Sequence, residues 1–167
     1  MKTQWSWIAV GVVANLALLG TVPARAEHFD ISLIVRTAKG FAESGWDTAP
    51  PEGGLNKRQA ITATVGEDIE TEWRMRSEFP HGIMKNVTIR MFVAPEKEIG
   101  QLELPAADAP RVLDNSFVAD YLPKHQAKGL LHFRVLQPGN YLVRIESEWT
   151  QREHGHEHFG AVDLKVE

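Results

Sequence analysis

Leu131-His132-Phe133-Arg134-Val135, Gln137-Pro138-Gly139-Asn140-Tyr141 and Val143-Arg144-Ile145-Glu146-Ser147-Glu148-Trp149 follow one another near the C-terminus. Apolar and polar residues alternate with period two on both sides of the Pro-Gly turn, the mark of half-buried antiparallel strands. A polar stretch, Thr150 to His158, then leads into Ala161-Val162-Asp163-Leu164-Lys165-Val166, which alternates in the same way. Three of the seven histidines, His154, His156 and His158, fall in the loop expected between these last two strands.

The same period recurs upstream. Ile69, Thr71, Trp73 and Met75 share one face, while Glu70, Glu72, Arg74 and Arg76 share the other. The pattern predicts strands at 28–36, 60–65, 69–77, 86–94, 101–104, 117–122, 129–136, 141–149 and 158–166. Residues 39–57 carry five glycines and prolines between Gly45 and Gly54, and read as a long irregular loop pinned to the body by Phe41 and Trp46. No sustained helical period, internal repeat or low-complexity tract is present. Many short strands separated by Pro and Gly turns predict an all-β sandwich.

At the other end of the chain, Lys2, the apolar run Trp7–Leu19 and the close Ala24-Arg25-Ala26 form a secretory signal pattern, with cleavage expected after Ala26. The alternative is that residues 5–22 are retained as an anchor; a spanning helix needs about 20 apolar residues. The protein is therefore expected in the periplasm or outside the cell. Removing residues 1–26 takes away two basic and no acidic residues, so the net charge moves from −4 to −6. That balance argues against nucleic acid and anionic membrane as partners. The remaining 141 residues suit a single domain. The chain has no cysteine, which removes thiol catalysis, disulfides, thiolate metal ligation and an N-terminal lipidated cysteine.

A tryptophan at the centre of a strand, Trp73, together with Pro138-Gly139-x-Tyr141-x-Val143-x-Ile145, resembles the core and the corner before the penultimate strand of immunoglobulin-like and fibronectin-like domains. The resemblance covers Trp73 and residues 129–166 and implies an antiparallel sandwich of about seven to nine strands. It also implies that the Tyr141 hydroxyl ties its corner to the backbone. The disulfide of many such domains has no counterpart here. If the predicted strands wind as in a variable-type domain, His28, His125 and the trio gather at one end with the turn at 66–68, and His81 lies at the other.

Such a cluster is a candidate metal site. Histidines two apart on extended chain point the same way and can share an ion. Three on a straight strand make a poor tripod, so His154, His156 and His158 would need help from His28, His125, Glu153 or Glu157. Imidazoles without thiolates suit Zn(II), Cu(II) or Ni(II). Some exported copper proteins bind through a histidine at the first mature position; here the expected start is Glu27-His28, one place off that pattern. His81 and His132 read as turn and sheet-surface residues.

Other chemistry is weakly represented. Nothing matches a nucleophile elbow, a phosphate loop or a dinucleotide fingerprint. The pairs Glu70/Glu72 and Glu146/Glu148 alternate with arginines and read as ion pairs on wet sheet faces. The expectation from sequence is an exported, non-enzymatic binding module that holds Zn or Cu at its histidine-rich loop. Its alternative is a structural subunit of a cell-envelope assembly with a protein partner.

Overall fold

The computed structural model describes residues 29–46, 58–77, 84–101, 103–106, 108–121, 126–149 and 157–167. Nine strands are formed: β1 (Phe29–Thr37), β2 (Gly40–Glu43), β3 (Ala60–Ala63), β4 (Ile69–Ser77), β5 (Met84–Glu96), β6 (Leu113–Tyr121), β7 (Gln126–Phe133), β8 (Gly139–Trp149) and β9 (Glu157–Val166). They build an immunoglobulin-like sandwich of two sheets, ordered β2-β1-β4-β7 and β3-β9-β8-β5-β6. Every pairing is antiparallel except β3 with β9, which run parallel. Among the described residues no helix is long and apolar enough to cross a membrane.

The period-two faces become the core. Ile31, Leu33 and Val35 of β1 and Trp73 and Met75 of β4 meet Ile89, Met91, Val143, Ile145, Val162 and Leu164 of the second sheet. Thr71 sits in the same buried row and donates its hydroxyl to the Leu131 carbonyl at 2.9 Å, which offsets its desolvation. Trp73 lies opposite Gly129 in register, and a Cβ at that glycine would stand 2.6 Å from the indole. The missing side chain makes the room the ring needs. The Tyr141 hydroxyl donates to the Gln137 carbonyl at 3.0 Å, the corner that the resemblance implied.

Three expectations change. Residues 39–57 are not wholly irregular, because Gly40, at a φ of 136°, turns the chain so that β2 pairs back on β1 and buries Ala42. Residues 101–104 are not a strand at any described position. Gln101 instead closes a turn, its side chain accepting from Lys97 N and donating to the Glu103 carbonyl. The outer face of the second sheet is also not wet. Phe92, Ala94, Leu142 and Ala161 form a second apolar cluster there, with Arg111 over the Phe92 ring and Arg144 over Phe159, each 4.1 Å from the centroid. The strap between β5 and β6 lies over this face.

One charged knot fastens that strap. Arg58 donates to Asp163 at 2.6 Å, to Glu96 at 3.0 Å and to the Gln101 carbonyl at 2.8 Å, while Gly100 N donates to Asp163 at 2.8 Å. All three charged side chains are almost fully buried. Burial, reinforced by the nearby Asp163, pushes the Glu96 carboxyl up to about 7, against the pull of Arg58. Two carboxylates share one guanidinium, and a protonated Glu96 can donate to Asp163.

Candidate functional site

Register places the strand ends. Phe29 pairs with Ser77, and Arg76 with Gln126, in the first sheet. In the second sheet Val87 pairs with Trp149 and Met84 with Tyr121, and Glu157 pairs with Glu148. The two sheets align at this end, since a Cβ on Gly160 would meet Ile31 and the Leu33 backbone. The strand ends bordering 78–83, 122–125 and 150–156, together with the start of β1, therefore lie at one end of the sandwich. The turn at 66–68 lies at the opposite end, where Gly66 N donates to the Val135 carbonyl at 2.8 Å. Sequence reasoning had put that turn with the histidines, because it counted a strand at 101–104 and missed β2. For the same reason the segment holding His81 is bordered by strand ends on the histidine side, not opposite.

His28, His125, Glu153, His154 and His156 lie outside the described residues. Glu157 opens β9 opposite Glu148. His158 is not a loop residue. It stands in β9 across from buried Ser147, 1% exposed, in the core-facing row that continues through Gly160 and Val162. His132 is exposed on β7, with Nδ1 3.2 Å from Asp68, as a surface residue should be. Among the described residues no three His, Asp or Glu side chains are grouped so as to hold a metal ion.

Two features at this end were missed from sequence. Asp30 is a buried carboxylate on the outer face of β1, paired with Arg76, and its Oδ1 has no hydrogen-bond partner among the described residues. The Arg76 guanidinium lies in turn 4.8 Å from the centroid of the Trp46 ring. Beside this stack is an open cleft of about 560 Å³, lined by Trp46, Glu72, Arg74, Gln126 and Lys128 among others. Trp46, 43% exposed, thus helps pin its segment as expected, whereas Phe41 is 69% exposed and pins nothing. Arg36 bridges Glu70 and Glu72 at 2.9 and 2.8 Å, and Arg74 reaches Glu72 at 2.7 Å. The Arg74 and Arg36 hydrogen bonds hold the Glu72 carboxyl below its usual range. The period-two pattern announced charges on this face; the buried position of Asp30 depends on segments distant in sequence and had no local signal.

No family profile matches the chain, and no curated protein does. Solved structures similar to it include the C-terminal domain of Wzt, at 9% identity and a TM-score of 0.44, covering 81% of this chain and 70% of that one. The PmoD soluble domain from Methylocystis is similar at 14% identity and a TM-score of 0.40, covering 82% and 90%. The catalytic domain of an LPMO from Listeria monocytogenes is similar at 16% identity and a TM-score of 0.38, covering 65% and 60%. The expectation that the chain is not an enzyme is withdrawn on this finding, because a catalytic domain stands among the similar folds. At these identities the likeness is one of β-sandwich architecture.

Proposed function

We propose that this chain is an exported ligand-binding sandwich of the periplasm or cell exterior, holding a divalent transition metal, Zn(II) or Cu(II), at the end where β1, β7 and β9 begin. The ligands would come from His154, His156, His28 and His125, with Glu157 as a carboxylate donor and His158 as the buried floor of the site. The observation that supports this reading is the shared position of the bordering strand ends. Phe29 follows His28, Gln126 follows His125, and Trp149 and Glu157 bracket the segment with His154 and His156. The donor set is nitrogen-rich and thiol-free, which fits borderline metals. Asp30, buried two residues from His28 with one oxygen unpartnered among the described residues, adds a carboxylate that could orient an imidazole.

Calorimetric titration with zinc and with copper at pH 7.5 and 5.5 tests the proposal. The comparison variant is His154→Ala/His156→Ala, which leaves the buried His158 in place so that the fold is not the variable. Stoichiometric binding that the variant loses, and that weakens at the lower pH as the imidazoles take up protons, is the expected result. Weak binding of several ions, equal in the variant, would sink it.

A further inference from the structure

The sandwich is open along one side. β6 ends one sheet and β7 the other, on the same side of the molecule, and the two are not hydrogen-bonded to each other. Between them runs a cleft of about 200 Å³ lined by Trp73, Phe117, Leu130 and Leu131, with the Trp73 and Phe117 rings 5.7 Å apart. Both strands are long for edges, nine and eight residues, and the charges they present outward are Lys128 on β7 and Asp114 and Asp120 on β6. No proline or central bulge interrupts either one, and large apolar side chains point outward, with Val118 62% and Leu130 59% exposed.

The outward rows of the two strands complement each other. Reading β6 antiparallel to β7 with Val118 opposite Leu130 sets Asp120 against Lys128 and Ser116 against His132, while Asp114 stays with Arg90, which donates to its two oxygens at 2.9 and 2.6 Å. The inward rows then set Phe117 against Leu131. Pairing either strand with itself loses this match: β7 with β7 faces Lys128 with His132, and the outer row of β6 holds no cation. A two-fold axis parallel to the strands brings the open side of a second copy against the first, keeps strand directions and exchanges the sheets. β6 of each copy then lies antiparallel to β7 of the other, with the histidine ends side by side. Both pairings form at once, and no edge is left on that side.

From this complementarity we infer that the open side is the interface of a symmetric dimer, in which β6 of one copy extends the β7 edge of its partner and the reverse. The two sheets continue across the axis, and the Trp73–Phe117 cleft closes at the junction. The dimer is independent of any metal.

The chain has no cysteine, so engineered thiols report cleanly. Val118→Cys and Leu130→Cys protein, each exposed, are mixed and oxidised, with each variant alone as control, and the double variant is oxidised by itself. Cross-strand neighbours fall within disulfide reach. The expected result is covalent dimer in the mixture and the double variant and little in either single variant. Lys128→Asp, which faces Asp120 twice in the dimer, should weaken association about tenfold by sedimentation, the ratio set by two cross-strand charge pairs. Cross-linking no faster in the mixture than in the controls would overturn the dimer. So would a double variant that closes only within one chain, meaning that β6 and β7 pair with each other.

Discussion

Gly129 is the residue on which the centre of the sandwich turns. Its register partner Trp73 fills the space a Cβ would take, with three indole atoms at 2.6–2.7 Å from it. Relieving the contact means moving an indole that is 8% exposed or shifting the edge strand β7 against β4. Gly129→Ala is therefore expected to destabilise the fold by about 1–3 kcal/mol through overpacking, measured by urea denaturation. An unchanged midpoint would mean that the indole can move into the open cleft beside Phe117. Trp73 was legible as a core residue because its strand alternates without a break; Gly129 was not, since its role exists only once β4 and β7 are in register. His158 taught the same lesson in reverse. Local composition grouped it with its polar neighbours, and the sheet set it among the core-facing residues of β9.

At the scale of elements the strap between β5 and β6 is the least expected feature. Its sequence offered Pro95 and Pro105 as boundaries and little else, and its fastening depends on Arg58 and Asp163, which lie far away in the chain. The knot makes stability depend on pH in a window of its own. Glu96 titrates near 7 in the folded chain against an ordinary 4.5, so the folded state holds the extra proton between those values. Its contribution is complete below about 4.5 and is lost as pH rises toward 7, by at most about 3 kcal/mol. Glu67, Glu72 and Asp114, whose carboxyls are held low by hydrogen bonds, act with the opposite sign and at more acid pH. Denaturation at pH 5 and 8 should show Glu96→Gln nearly free of the decline that remains in the parent protein. A parallel decline in both would assign the slope to other groups, the histidines first.

On the scale of the whole molecule, the period-two alternation was enough to predict the sandwich and its core faces, and the resemblance to immunoglobulin-like domains supplied the tyrosine corner. It did not predict which ends meet, because one spurious strand and one missed strand shift the placement of the turns. The strand ends that border His28, His125 and residues 150–156 lie at one end, and the turn at 66–68, expected with them, lies at the other. Cleavage after Ala26 is the expectation for the N-terminal segment. Intact-mass analysis of protein recovered from outside the cytoplasm should give a chain starting at Glu27. A mass retaining residues 1–26 would favour the anchor.

The parallel β3–β9 pair has a practical meaning. Val65 N donates to the Glu167 carbonyl at 3.1 Å and Glu167 N to that of Ala63 at 3.0 Å, so the last residue is stitched in at the far end from Phe29. Immobilising the protein through a C-terminal linker would hold every copy in one orientation. The strand ends that border the histidine-bearing segments would then face away from the support.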